Sequence, residues 1–163
     1  MNTTIAAIST AMSASGIGIV RISGEHSVDV IKKIYRSKNG KKQLDQVPSH
    51  TIHYGYIYDG EEIVDEVLVM VMRAPKTFTG EDTVEIDCHG GVYAMNRVLE
   101  TVLKNGAKIA GPGEFTKRAF LNGRLDLSQA EAVMDVIQAK NEYALKSSMS
   151  QLKGSVQKTI KEI

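Results

Sequence analysis

A single cysteine, Cys88, in 163 residues leaves no internal disulfide framework and suits a reducing compartment. No run of about 18 apolar residues is present, so no helix is expected to span a membrane. The first residues lack the basic and apolar regions of a secretory signal, and cytoplasm is the expected location. Neither sign of charge is in excess: 20 basic against 19 acidic residues give a net charge of +1. That balance argues against a dedicated binder of nucleic acid or anionic membrane, while leaving room for a local basic patch. Catalytic signatures are also missing. There is no G-x-x-x-x-G-K-[ST] phosphate loop and no G-x-S-x-G elbow. Gly16-x-Gly18 lacks a third glycine and feeds a strand, so it is not a dinucleotide fingerprint. The histidines are His26, His50, His53 and His89. His50 and His53 lie three apart on a strand and face opposite ways, which makes them poor co-ligands for a metal. Cys88 and His89 are adjacent and chelate no better.

What is present is globular. Hydrophobic content of 42% is enough for a packed core, 24% charge is ordinary for a soluble chain, and the length fits one domain plus an appendage. Neither an internal repeat nor a low-complexity segment is found. Residues 5–8 read as a short edge strand, and residues 13–16 as a loop. Residues 17–24 (IGIVRISG) are apolar on both faces, as in a central strand. Ser27 is placed to cap a helix reaching about Tyr35, with Val28, Ile31, Ile34 and Tyr35 inward. Residues 36–42 form a basic loop, read first as solvated and second as a phosphate contact. Asp59-Gly60 predicts a hairpin between strands at 51–58 and 63–72. Val67 to Met72 is apolar throughout and expected to be buried on both sides. Ile52, Tyr54, Tyr56 and Tyr58 share a face, read first as core and sheet-face packing and second as a base-stacking platform. Residues 75–80 are a loop. Residues 83–88 alternate, Val84, Ile86 and Cys88 against Thr83, Glu85 and Asp87. After Gly90-Gly91 a helix carries Met95, Val98 and Val102, Asn105-Gly106 ends it, and residues 108–110 make a last short strand.

Residues 111–133 (GPGEFTKRAFLNGRLDLSQAEAV) mark a joint. Pro112 and Gly113 break the preceding element. Residues 114–121 allow two helical turns with Phe115, Ala119 and Phe120 on or near one face, and Asn122-Gly123 stops them. Ser128 and Glu131 have the spacing of a capping box for a long helix. Ala130, Val133, Met134 and Ile137 begin an apolar stripe, and Ala144, Leu145, Met149, Leu152, Val156, Ile160 and Ile163 continue it. About 35 residues at 1.5 Å each give a rod of ~50 Å. Since the stripe is still running at Ile163, the remainder of a helical domain is expected beyond it. Residues 1–122 thus read as an N-terminal domain and 123–163 as the first part of a helical one.

Four charged groups stand in unusual places. Arg21 projects from an apolar strand, Glu85 and Asp87 share the polar face of another, and Arg124 sits in the joint. A buried guanidinium needs an anionic partner. Two arginines and a carboxylate either neutralise one another or hold a ligand with donors at one end and carboxylates at the other.

Three blocks carry a resemblance. GIGIVRISG at 16–24, FTGEDTVE at 78–85 with His89-Gly90-Gly91, and PGEFTKRAFLN at 112–122 with DLSQAEA at 126–132 together resemble the family of the tRNA modification GTPase MnmE, also called TrmE. The resemblance covers the whole chain. It implies an α/β (α+β) fold with a mixed sheet and flanking helices, similar to the folate-binding domain of the glycine-cleavage aminomethyltransferase, followed by a long helix. It implies a homodimer through the N-terminal domain and binding of 5-formyl- or 5,10-methylene-tetrahydrofolate by Arg21, Glu85 and Arg124. Some members carry lysine at the last position; arginine keeps the charge and changes the donor geometry. It also implies the FAD-dependent partner MnmG (GidA), modification of the tRNA wobble uridine at C5, and no membrane. GTP, potassium and magnesium belong to a GTPase domain that this sequence does not match, so no catalytic residue is assigned. A stand-alone aminomethyltransferase-like enzyme and a dimerisation module without ligand are the alternative readings.

Overall fold

The computed structural model describes residues 3–9, 17–140 and 142–143. The chain divides into two units, Met1–Arg124 and Leu125–Ile163. Among the described residues the first unit holds seven strands: β1 (Ile5–Ile8), β2 (Gly18–Ser23), β3 (Tyr35–Arg36), β4 (Thr51–Asp59), β5 (Glu62–Met72), β6 (Thr83–Cys88) and β7 (Lys108–Ile109). They form one sheet in the order β3-β4-β5-β6-β2-β1-β7. Every neighbouring pair is antiparallel except β1 with β7. Helices α1 (Ser27–Ile34), α2 (Gly91–Lys104) and α3 (Glu114–Leu121) complete the unit. The fold is therefore α/β with a mixed sheet, as expected.

One face of the sheet carries the core. Val20, Ile22, Val67, Val69, Val71, Val84 and Ile86 are fully buried there against Val30, Ile31 and Ile34 of α1 and Met95, Val98 and Val102 of α2. Each such side chain contributes roughly 1.5–3 kcal/mol on burial, so this layer fixes which way every strand faces. The Asp59-Gly60 turn joins β4 to β5, with Gly60 at φ 63°.

The opposite face is open, and here several expectations are corrected. Leu68, Met70 and Met72 of β5 are only partly buried, because α1 and α2 cover the other side. The tyrosine row lies on the open face too: Ile52 is 62% and Tyr54 43% exposed, and Tyr54 meets Tyr56 edge to face at 5.8 Å. Residues 5–8 are not the edge, since β7 pairs beyond them and leaves Ala6 fully buried. Ser27 is the first residue of α1 and not its cap; its hydroxyl donates to the carbonyls of Gly24 and Asp82. Phe120 is 39% exposed, whereas Ala119 is buried.

In the second unit residues 127–140 and 142–143 are helical. The capping box sits two residues earlier than Ser128 and Glu131. Asp126 Oδ1 accepts the Gln129 N–H at 2.7 Å, and Gln129 Oε1 accepts the Asp126 N–H at 2.9 Å. A carboxylate is also the better partner for the positive end of a helix dipole than a hydroxyl. Ala130 is buried. The stripe from Ala144 onward, and the loop expected at 13–16, lie outside the described residues.

Candidate functional site

Antiparallel pairing of β2 with β6 sets Arg21 directly opposite Glu85, both on the open face. Arg21 Nε donates to Glu85 Oε2 at 3.1 Å, with the two side chains 27% and 15% exposed. Two aromatic rings hold the guanidinium from other elements: its carbon lies 5.6 Å from the Phe78 centroid and 5.4 Å from that of Phe115. Such cation–π contacts are worth about 0.5–1 kcal/mol each at half-open sites. Only one atom of each partner is engaged. The terminal NH2 groups of Arg21 and Oε1 of Glu85 make no hydrogen bond among the described residues.

The segment between β5 and β6 builds the surroundings. Thr79 Oγ1 and Ser23 Oγ are 2.7 Å apart, and Ser23 Oγ is 2.8 Å from Glu81 Oε1. A carboxylate only accepts, so the Ser23 proton goes to Glu81 and Thr79 donates to Ser23. Glu81 also receives Arg118 Nη1 at 3.1 Å, while Arg118 Nη2 reaches Glu114 at 3.4 Å. Arg118 is 8% exposed, and a buried cation of this kind persists only with such partners. Thr79 O accepts Asn122 Nδ2 at 2.9 Å, and Thr77 O accepts Arg124 Nε at 2.8 Å. Gly80, at φ 81°, lets the chain pass: a Cβ there would stand 3.0 Å from Asn122 Cβ and 3.4 Å from Arg124 Cγ. One loop thus lays Phe78 under Arg21 and gives Thr77 O to Arg124.

Of the three residues singled out from sequence, Arg21 and Glu85 meet directly. Arg124 makes no hydrogen bond or ion pair with either among the described residues; it is exposed and reaches the same loop. Asp87 adds a fourth group on the face of Glu85. Its Oδ1 is buried without a hydrogen-bond partner. Burial, and then the charge of Glu85, push its carboxyl above the usual carboxylate range.

Sequence reasoning placed Asp87 on this face but gave it no role, and it missed Phe78, Phe115 and the Glu81–Arg118 pair. The signal was available only as the F-T-G-E-D and P-G-E-F-T-K-R motifs, whose contacts are long-range. A cavity of about 680 Å³ lies elsewhere, lined by His26, Asp29, Lys32, Lys33 and Asn105 among others, and includes none of these residues. Among the described residues no three His, Cys, Asp or Glu side chains are grouped to hold a metal, and no helix is long and apolar enough to cross a membrane.

Residues 4–124 match the family model described as GTP-binding protein TrmE N-terminus. The chain is 62% identical over 160 residues to the tRNA modification GTPase MnmE of Lachnoclostridium phytofermentans, covering 98% of this chain and 35% of that protein. It is 59% identical over 162 residues to the protein of that name from Geobacillus thermodenitrificans, again 98% and 35%. The Carboxydothermus hydrogenoformans protein is 56% identical over 165 residues, 100% of this chain and 36% of its own length. The chain therefore spans about a third of the length of these curated relatives.

Proposed function

The chain belongs to the family of the GTP-binding protein TrmE N-terminus, and from that premise we propose that it is the folate-binding, dimerising part of a tRNA modification GTPase. The observation that supports this most is the half-engaged Arg21–Glu85 pair on an open sheet face. Glu85 Oε1 and the remaining lone pair of Oε2 together offer a carboxylate edge to the adjacent N3–H and 2-amino group of a pterin ring. The Asp87 carboxyl stands on the same face with an oxygen that lacks a partner. The terminal NH2 groups of Arg124, which make no hydrogen bond or ion pair among the described residues, suit the carboxylates of a folate tail. Donor, acceptor and cation types therefore fit a tetrahydrofolate. The bound 5-formyl- or 5,10-methylene-tetrahydrofolate would supply a one-carbon unit for the C5 position of the wobble uridine of tRNA. The role of this chain is to bind and orient it.

The remaining activity is assigned to the full-length assembly. No G-x-x-x-x-G-K-[ST] occurs here, so GTP hydrolysis with magnesium and potassium is assigned to no residue of this chain. The FAD-dependent protein MnmG is the proposed partner, tRNA the substrate of the complex, and the cytoplasm its place. Homodimerisation is supported by the apolar groups of the open face, among them Ile17 at 62% exposure and Phe78 at 42%.

The rival reading is a dimerisation module in which Arg21 and Glu85 serve each other, and their direct contact favours it. Thermal unfolding with 5-formyltetrahydrofolate separates the two. Ligand at 100 times Kd adds about 2.7 kcal/mol of stability. At about 2.1 cal/mol/K per residue that is a rise of about 8 °C in Tm for a chain of this size. A Tm that stays constant to millimolar ligand rejects folate binding. Sedimentation that gives a monomer at all concentrations rejects the dimer.

A further inference from the structure

Six of the chain's 20 basic residues, Lys32, Lys33, Arg36, Lys38, Lys41 and Lys42, fall within residues 32–42, and no acidic residue interrupts them. In a chain of net charge +1 this is a sharp segregation. Lys32 pairs with Asp45 at 3.0 Å, and Arg36 approaches Glu61 at 3.6 Å while lying over the Tyr58 ring at 4.1 Å. Lys33, Lys38, Lys41 and Lys42 have no ion pair among the described residues.

The loop that carries them is braced from within. Ser37 O accepts the Gly40 N–H at 2.9 Å, Asn39 Oδ1 accepts from Ser37 Oγ and from the Lys41 N–H at 3.0 Å each, and Ser37 Oγ accepts the Lys42 N–H at 3.1 Å. Its small polar side chains are used to hold its own backbone. Two concavities flank it. One of about 510 Å³ is lined by Ser37, Lys38, Asn39, Lys42 and Tyr54. The other, of about 240 Å³, includes Lys33, Arg36 and Lys42 in its wall. Lysines without an ion pair among the described residues line both concavities, Lys38 and Lys42 the first and Lys33 and Lys42 the second, and match a run of phosphates. Tyr54, 43% exposed in the wall of the first concavity, adds a ring on which an unstacked base can lie.

We propose that residues 36–42, with Tyr54, form a docking surface for the phosphate backbone of RNA. The choice of RNA over an acidic protein surface rests on Tyr54 and, through the proposed function, on the relatives' being tRNA modification GTPases. The site is separate from the one around Arg21. The loop leaves β3, four strand positions from β2 in the sheet, which is about 19 Å at 4.8 Å per strand.

The test is fluorescence anisotropy of a labelled tRNA transcript with the 163-residue chain, titrated at several salt concentrations. Each lost phosphate contact lowers the slope of log K against log salt by roughly 0.7–0.9. The triple variant Lys38→Ala, Lys41→Ala, Lys42→Ala should flatten that slope by about 2 and weaken binding at least tenfold. A charge-matched control, Lys108→Ala, Lys117→Ala, Lys140→Ala, should bind as the parent does. Equal losses in the two triples, or displacement of the tRNA by poly-glutamate as readily as by unlabelled tRNA, overturn the proposal. The 5-formyltetrahydrofolate melting shift, measured on the same triple variant, should be retained. RNA docking and folate binding therefore fail independently.

Discussion

Replacing Glu85 by glutamine separates a ligand site from an internal ion pair, because the two readings differ in magnitude. Glutamine keeps the size of the side chain and one acceptor, and removes the charge. The Arg21–Glu85 pair is partly open, at 27% and 15% exposure, so its loss costs under about 1 kcal/mol of stability. Phe78 and Phe115 still hold the guanidinium, which limits the damage further. At about 2.1 cal/mol/K per residue, Tm falls by no more than about 3 °C. Binding should suffer more. A hydrogen bond to a charged group is worth about 1.5–3 kcal/mol, and the pterin edge presents its donors to this carboxylate. The expected rise in Kd for 5-formyltetrahydrofolate is about 10- to 150-fold. Isothermal titration gives the affinity and differential scanning calorimetry the stability, on the same samples. A Kd within about threefold of the parent, together with a Tm drop of many degrees, refutes the reasoning and returns Glu85 to a structural role.

Other perturbations probe the neighbouring groups. Arg124→Ala should weaken 5-formyltetrahydrofolate by about tenfold while leaving a tailless tetrahydropterin unaffected, since the arginine is assigned to the tail; titration of both ligands checks it. Asp87→Asn should raise Tm near pH 7–8 by removing a carboxylate whose ionised form is disfavoured by burial and by Glu85. The sign follows from a folded pKa above the unfolded one: the wild-type contribution is full below the ordinary carboxyl range and is lost as pH rises through the folded pKa. The gain should therefore vanish in melts at acid pH. Gly80→Ala forces a Cβ to 3.0 Å from Asn122 Cβ at φ 81°, and should cost about 1–3 kcal/mol and reduce folate affinity, read by calorimetry and titration.

Much of this was legible in the chain. The alternation of Val84, Ile86 and Cys88 against Glu85 and Asp87 fixed both the β6 strand and its faces, because a strand has a period of two. Asp59-Gly60 located the hairpin for a purely local reason. Hydropathy of β5 misled because it cannot tell a face covered by helices from one left open: Leu68 and Met70 are as apolar as Val69, and only α1 and α2 decide between them. The cap at Asp126 was obscured by Ser128, two residues on, which satisfies the same local pattern. Around the candidate site, Arg21 and Glu85 were suspicious as charges on apolar strands. Their register, their clasp by Phe78 and Phe115, and the Glu81–Arg118 pair depend on tertiary contacts that no spacing rule encodes.

Amide chemical-shift mapping with 5-formyltetrahydrofolate addresses the folate site most directly. Perturbations concentrated at Arg21, at Phe78 to Asp87 and at Arg124 are the predicted result. Shifts confined to the cavity lined by His26, Asp29 and Asn105, or no shift at saturating ligand, would contradict it.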